Sequence, residues 1–148
     1  MTKSLPPKSL VLYADDDPED RELIEEAFQN YKYKIELLTF ENGIDLLSFI
    51  HRLDPFQPTP CLIIIDINMP ILNGKETLRR LRKMEGLKEV PAVLFSTSTL
   101  PSEADFAKCF NAGFVTKPLY QPQIRLIVDS LIEHCTDEVK KRIKKQRD

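Results

Sequence analysis

Acidic, hydroxyl and basic side chains follow short apolar runs at four points of this 148-residue chain. The residues at these four points are Asp15 with Asp16, then Asp66, Ser96 and Lys117. Carboxylate oxygens suit Mg²⁺, which usually takes one or two of them together with waters and phosphate oxygens. An aspartate fixed at the end of an apolar run suits a nucleophile that becomes an aspartyl-phosphate. Mg²⁺ and an ammonium would neutralise the transferred phosphoryl oxygens, and a hydroxyl could donate a hydrogen bond to them. These residue types predict phosphoryl-transfer chemistry at a magnesium site.

The apolar runs alternate with longer segments that have helical spacing. We predict strands at residues 10–14, 35–40, 61–65, 92–95 and 114–115. Three of these runs are almost continuously apolar, which is typical of parallel strands covered on both faces. After each run, apolar residues recur at three- and four-residue intervals, as in amphipathic helices. The pattern predicts an α/β fold of the flavodoxin type, a five-stranded doubly wound parallel sheet with helices on both faces.

The expected strand order determines which polar residues meet. Ligands of such sheets bind beyond the carboxyl ends of the strands, where the strand order reverses. With order 2-1-3-4-5 the first and third strands are neighbours, and Asp15, Asp16 and Asp66 converge. Three carboxylates this close repel one another unless a proton or a cation joins them. The arrangement therefore favours a bound divalent cation, Mg²⁺ or Mn²⁺.

Simpler interpretations exist for these residues taken one at a time. Asp17 before Pro18 is typical of a helix N-cap, and we interpret it so. Asp66 could form an Asx turn before Pro70. Lys117 could be a solvated surface lysine. The joint placement of the acidic residues and the lysine at strand ends favours the site.

Composition excludes several other classes of protein. Glycine occurs at only four positions, which excludes the Gly-rich phosphate cradles. Hydrophobic residues make up 42% and charged residues 30%, the balance of a globular chain. We expect no membrane span, no signal peptide and a cytoplasmic location. Cys61, Cys109 and Cys135 lack metal-ligand spacing, and we predict that they are small buried hydrophobic residues.

Four segments resemble the receiver domain of bacterial response regulators, the CheY-like family. They are Leu-Val-Leu-Tyr-Ala-Asp-Asp-Asp-Pro-Glu-Asp at 10–20, Ile-Ile-Asp-Ile-Asn-Met-Pro-Ile-Leu-Asn-Gly at 64–74, Pro-Ala-Val-Leu-Phe-Ser-Thr at 91–97 and Phe-Val-Thr-Lys-Pro at 114–118. The resemblance covers roughly residues 9–134. The Asp-x-x-Met-Pro-x-x-x-Gly spacing after an acidic pair is its most specific element.

The resemblance assigns expected roles to individual residues. It implies that Asp66 is the phosphoacceptor and that Mg²⁺ lies between Asp15, Asp16, Asp66 and the backbone carbonyl of Asn68. It implies that Lys117 lies beside the phosphoryl group. The remaining assignments are Ser96 as the switch hydroxyl, Phe114 as the switch aromatic, Asn68 and Ser98 as tuners of the phosphorylated form's lifetime, and Gly74 as the residue that permits the turn after the loop.

The resemblance also carries backbone details. It implies a cis bond between Lys117 and Pro118. One departure concerns the link between the fourth helix and the fifth strand. Ala112-Gly113 is followed at once by Phe114, whereas family members commonly have several residues there.

We therefore predict a single-domain response regulator rather than an enzyme. It would accept a phosphoryl group from a sensor histidine kinase or a histidine phosphotransfer protein and act on a downstream protein target. One alternative is a receiver-like interaction module that works without phosphorylation. Another is a phosphatase of the haloacid dehalogenase type, but that chemistry needs a general acid where this chain has Asn68.

The domain organisation predicted is an N-terminal extension at 1–8, a receiver domain at 9–136 and a basic tail at 137–148, with no DNA-binding domain. The surplus length lies in a Pro-rich loop at 54–60 and in the tail. The tail carries six Lys or Arg against three Asp or Glu. Val139 and Ile143 could extend the fifth helix as a homodimer or partner contact. The alternative, which we favour, is a frayed, solvated terminus.

Overall fold

The computed structural model of the chain describes residues 8–53, 59–118 and 121–144. For residues 121–125 and 144 it describes the backbone only. Most of the predicted N-terminal extension, most of the Pro-rich loop and the last four residues of the basic tail lie outside the described residues.

Five parallel strands form one sheet in the order β2-β1-β3-β4-β5. The strands are β1 Ser9–Ala14, β2 Ile35–Phe40, β3 Leu62–Asp66, β4 Ala92–Ser96 and β5 Gly113–Thr116. The helices are α1 Pro18–Phe28, α2 Gly43–His51, α3 Gly74–Lys83, α4 Pro101–Cys109, α5 Gln121–Ile132 and α6 Asp137–Lys144, with a 3₁₀ turn at Gln29–Tyr31. The predicted fold and strand order are confirmed. Within the described ranges, no helix is both long and apolar enough to span a bilayer.

The core consists of two layers, one on each face of the sheet. Helices α2, α3 and α4 pack on one face and α1, α5 and α6 on the other. Alternation along β1 sends Leu12 and Ala14 to the first layer and Val11 and Tyr13 to the second. Strands β3 and β4 are buried along their whole length. This explains their continuous apolar runs, because both faces of these strands are covered.

The segment 137–144 corrects both interpretations of the basic tail. A turn after Ile132 separates α5 from α6, so α6 is a helix of its own rather than an extension. Ile143 is fully buried in the α1–α5–α6 layer, and Val139 packs against the same layer. The Arg142 guanidinium donates a 2.7 Å hydrogen bond to the Ser9 hydroxyl. Residues 137–144 are therefore a packed helix, because two apolar residues one turn apart find a place under the sheet.

The prediction that all three cysteines are buried is correct only for Cys135. Cys61 is half-buried before β3, where it packs against the α1–α5–α6 layer. Cys109 is exposed. It lies at the end of α4, whose buried residue is Ala107, and a helix turns by about 200° over two residues.

The packing of α6 leads to a stability prediction. Replacing Ile143 by Ala removes fully buried methyl groups, and we expect the free energy of unfolding to fall by about 2–4 kcal/mol in urea titrations. The matched control is Ile44→Ala in α2, where the side chain is 38% exposed and the expected loss is below about 1 kcal/mol. Equal losses for the two variants would contradict the packed position of α6.

Candidate functional site

The functional side chains lie where the parallel strands end. Asp15 follows β1, Asp66 and Ser96 are the last residues of β3 and β4, and Lys117 follows β5. Ala14 pairs with Ile65, so the next residues along these strands, Asp15 and Asp66, lie side by side. The Lys117 amide donates a 2.7 Å hydrogen bond to the Ser96 carbonyl. The sheet thus brings residues from four strands to one edge, as its strand order predicts.

Three carboxylates form a cluster at this edge. One oxygen each of Asp15, Asp16 and Asp66 lies within 4.8 Å of the others. Asp15 and Asp66 are buried, whereas Asp16 is exposed and leaves the cluster open to water. An all-oxygen set with one open side suits a hard divalent cation that keeps several waters. These residues therefore fit Mg²⁺ or Mn²⁺.

The electrostatic repulsion within this cluster is seen in the pKa of the Asp66 carboxyl group. Burial, followed by the nearby Asp15 carboxylate, raises the pKa of Asp66 from 3.8 to about 7, although Lys117 acts in the opposite direction. A raised pKa means that the negative charge of Asp66 is not fully balanced by the protein. The site is therefore poised to gain a positive charge, from a proton or from a metal ion.

Lys117 is the cation beside the two buried carboxylates of the cluster, Asp15 and Asp66, and only 9% of its side chain is exposed. Its ammonium donates hydrogen bonds of 2.8 Å to Asp15 Oδ2 and 2.9 Å to Asp20 Oδ2, and lies 3.4 Å from Asp66 Oδ1. Burial lowers the pKa of Lys117, but the bonds to Asp15 and Asp20 outweigh it and the net shift is upward. The interpretation as a solvated lysine is therefore wrong.

Hydrogen bonds from Tyr13, Asp17 and Arg21 hold Asp15 in place. Its Oδ2 accepts a hydrogen bond from the Tyr13 hydroxyl, and its Oδ1 accepts a 3.0 Å bond from the Asp17 amide. The Arg21 guanidinium donates a 2.7 Å bond to the Asp15 carbonyl. Burial and the Asp15 charge raise the pKa of Tyr13, so the phenol stays protonated and donates. These contacts fix the carboxylate of Asp15 in one orientation.

Sequence reasoning overlooked Tyr13, Asp20 and Arg21 as parts of the site. A signal existed for Tyr13, because residues two apart on a strand share a face and a buried phenol needs a partner. Asp20 contacts a lysine 97 residues away, and only the folded structure reveals that the first turn of α1 meets the residue after β5.

The structure confirms the interpretation of Asp17 as a helix N-cap. Its side chain accepts a 2.9 Å hydrogen bond from the Glu19 amide, and Pro18 begins α1. Asp17 therefore caps the helix whose first turn carries Asp20.

The loop after Asp66 depends on Gly74. A Cβ there would lie 2.2 Å from the Asp66 carbonyl oxygen, so the start of α3 can approach β3 only without a side chain. The Gly74 amide donates a 2.8 Å bond to the Ile67 carbonyl, and Asn73 caps α3 through the Glu76 amide. Close backbone approach, rather than the turn we expected, is the reason for this glycine. The contact holds Asp66 in place.

The residues with predicted switch and tuning roles lie on β4, on β5 and in the loops that follow β3 and β4. Ser96 is fully buried, and its hydroxyl accepts a 3.1 Å hydrogen bond from the Ser98 amide. The Ser98 hydroxyl accepts a 3.1 Å bond from the Leu100 amide, just before α4. Phe114 is half-buried against the α2–α3–α4 layer, and Asn68 is exposed two residues after Asp66.

The backbone around Pro118 differs from the expectation. The described residues contain no cis peptide bond, so the Lys117–Pro118 bond is trans. The cis expectation came from the resemblance alone, and trans is the lower-energy isomer even before proline.

The short link between α4 and β5 is accommodated by three local features. Asn111 adopts a left-handed conformation with φ 53°, which ends the helix. The Arg82 guanidinium donates hydrogen bonds of 2.8 and 2.9 Å to the Phe110 and Asn111 carbonyls. Gly113 leaves room for the His134 ring, which a Cβ would approach to 2.3 Å. The chain therefore enters β5 directly.

Comparisons with known proteins agree with this geometry. The family model described as the response regulator receiver domain matches residues 11–129. The two-component response regulator ARR17 of Arabidopsis thaliana is 34% identical over 119 residues, which cover 74% of this chain and 75% of ARR17. The response regulator Rcp1 of Synechocystis is 30% identical over 98 residues, which cover 65% of this chain and 66% of Rcp1.

Solved structures give the same fold. The phosphorylated cyanobacterial phytochrome response regulator RcpA superposes with a TM-score of 0.77 at 24% identity, covering 89% of this chain and 96% of RcpA. The chemotaxis response regulator CheY4 of Vibrio cholerae gives 0.69 at 23% identity, covering 84% of this chain and 99% of CheY4. The chain belongs to the receiver domain family of response regulators, which are signalling proteins of two-component systems.

The raised pKa of Asp66 predicts a pH-dependent stability. The unfolded chain releases this proton near 3.8 and the folded, metal-free protein near about 7, so folding stability falls as pH rises through this window. Asp66→Asn removes the titrating group and with it this loss of stability at high pH. We expect the variant to be more stable than the wild type by about 1–3 kcal/mol at about pH 8, and to differ little at about pH 4.5, in the metal-free protein. Thermal unfolding in the presence of a chelator measures both values.

The matched control is Asp105→Asn on the exposed surface of α4, which we expect to change stability little at either pH. A destabilising effect of Asp66→Asn at the higher pH would contradict the unbalanced charge.

Proposed function

We propose that this chain accepts a phosphoryl group on Asp66 from the phosphohistidine of a sensor kinase or a histidine phosphotransfer protein. The P–N bond to the donor imidazole breaks as a P–O bond to an Asp66 carboxylate oxygen forms, and the imidazole then takes up a proton. The observation that carries the proposal is the convergence of Asp15, Asp16 and Asp66 at one sheet edge, with the Lys117 ammonium beside Asp15 and Asp66.

Each residue of the cluster has a distinct task in this reaction. Asp66 is the nucleophile, rigidly placed by β3 and by the approach of Gly74. Asp15, Asp16 and Asp66 would hold the cation, together with the backbone carbonyl of Asn68. When bound, Mg²⁺ neutralises charge on the phosphoryl oxygens. Lys117 supplies the second positive charge.

The phosphoryl group alters the protein through its added negative charge. Ser96 is the switch hydroxyl. It gives up its hydrogen bond from the Ser98 amide and donates one to a phosphoryl oxygen instead. Phe114 on β5 is the switch aromatic, whose rotamer changes when Ser96 moves. A downstream protein binds the altered surface of α4, β5 and α5. Asn68 and Ser98 border the site and tune the lifetime of the phosphorylated form.

The protein is a phosphoacceptor rather than an enzyme that turns over a substrate, although it assists its own phosphorylation and dephosphorylation. Asn68 lies where a dehalogenase-type phosphatase needs a general acid, and an amide cannot supply a proton. The proposed compartment is the cytoplasm, which suits three free cysteines. A homodimer is a further possibility to be tested by size-exclusion chromatography.

Labelling with acetyl phosphate tests the proposal directly. With Mg²⁺ present, we expect the mass of the intact protein to increase by one phosphoryl group, and Asp66→Asn to abolish the increase. Asp105→Asn is the matched control and should label like the wild type. Full labelling of Asp66→Asn would refute the assignment. An unlabelled wild-type protein would instead support the phosphorylation-independent interaction module.

Metal binding is tested separately. Asp16 is the exposed member of the cluster, so Asp16→Asn removes a ligand charge with little effect on the core. We expect Mg²⁺ affinity in isothermal titration calorimetry to fall roughly tenfold or more, because affinity follows the charge of the ligand set. Asp105→Asn should leave it unchanged. Equal affinity in Asp16→Asn and the wild type would remove Asp16 from the ligand set.

A further inference from the structure

We propose that Asp20 is a positioning residue that holds the Lys117 ammonium back from Asp66 in the unphosphorylated protein and releases it when the phosphoryl group arrives. This inference rests on the proposed function. Asp20 lies in the first turn of α1, outside the three carboxylates that fit the metal.

The hydrogen bonds of Lys117 show the competition. An ammonium has three donors, and two of them are directed to Asp15 and Asp20 at 2.8 and 2.9 Å. The distance to Asp66 Oδ1 is 3.4 Å, which is an ion pair with a longer separation. Asp66 therefore has the weakest of the three interactions with Lys117, although it is the residue that must carry the added phosphoryl charge.

The path of the lysine is also restricted by an aromatic ring. The Lys117 ammonium lies 5.5 Å from the centre of the Phe95 ring, close enough for a cation–π contact. Phe95 is fixed in the core by an edge-to-face contact with Tyr13. The ammonium is thus bounded by this ring and by the Asp15, Asp20 and Asp66 carboxylates.

Burial determines which bond the lysine gives up. Asp15 is fully buried, so losing Lys117 without a replacement would leave a desolvated charge with one partner fewer. The Asp20 side chain is 33% exposed, and water can replace the lysine there. A phosphoryl oxygen beside Asp66 therefore draws Lys117 from Asp20 more readily than from Asp15.

If Asp20 restrains the lysine, weakening the Asp20 bond favours the phosphorylated state. Asp20→Asn keeps the size of the side chain and removes its charge. With saturating Mg²⁺, we expect this variant to bind the phosphoryl mimic beryllofluoride about threefold to tenfold more tightly than the wild type. Asp20→Glu retains the carboxylate and should return the affinity towards the wild-type value.

The matched control separates the lysine bond from the general loss of a negative charge. Glu19 is exposed in the same turn of α1, and Glu19→Gln makes the same change in charge without touching Lys117. We expect its beryllofluoride affinity to stay within about twofold of the wild type, because exposed charges are screened by solvent.

Beryllofluoride titrations followed by ¹H–¹⁵N NMR measure these affinities. The ammonium resonance of Lys117 supplies a second readout, which should shift in metal-free Asp20→Asn but not in Glu19→Gln. Affinity in Asp20→Asn that matches Glu19→Gln, or that falls below the wild type, would overturn the inference. A wild-type protein that binds no beryllofluoride would refute the proposed function itself, whereas wild-type binding without an Asp20 effect refutes only the role of Asp20.

Discussion

The repulsion between carboxylates at the ends of β1 and β3 is the constraint on which the rest of the structure depends. Two unit charges at about 4 Å cost about 4 kcal/mol at the effective dielectric of a protein surface. Asp15, Asp16 and Asp66 place one oxygen each within 4.8 Å of one another, and the Lys117 ammonium lies beside Asp15 and Asp66. The pairing of β1 with β3 places Asp15 and Asp66 side by side, so these two charges cannot separate unless a strand moves.

The sheet supplies the rigidity that this arrangement requires. Strands β1, β3 and β4 are buried between two helical layers, so none can shift to separate the charges. The missing side chain of Gly74 lets α3 press against the backbone of Asp66. Tyr13 and the Asp17 amide each bind a different oxygen of Asp15, which fixes the orientation of the carboxylate. Packing energy from the core therefore maintains an unfavourable charge distribution at one edge, which a bound cation would relieve.

The parts of this arrangement that sequence could predict are those set by local pattern and topology. Continuous apolar runs identified the buried strands, and strand order then placed Asp15 beside Asp66. The misinterpreted tail shows the limit of this reasoning. A tail with two apolar and six basic residues resembles a solvated terminus, and only packing against the sheet makes Ile143 a core residue. Asp20 and Lys117 are 97 residues apart, and no local pattern joins them. The trans bond at Pro118 shows that a family resemblance does not transfer every backbone detail.

The hydrogen bonds that follow β4 offer a route by which the proposed phosphorylation would alter the surface. Hydrogen bonds run from the Ser96 hydroxyl to the Ser98 amide, and from the Ser98 hydroxyl to the Leu100 amide, where α4 begins. The other end of α4 is firmly held, because Ala107 is fully buried and Arg82 binds the carbonyls of Phe110 and Asn111. A Ser96 hydroxyl that turns towards Asp66 must give up the Ser98 amide. Under the proposed switch, the displacement would be greatest at the first turn of α4, because the buried Ala107 and the Arg82 hydrogen bonds fix its last turn.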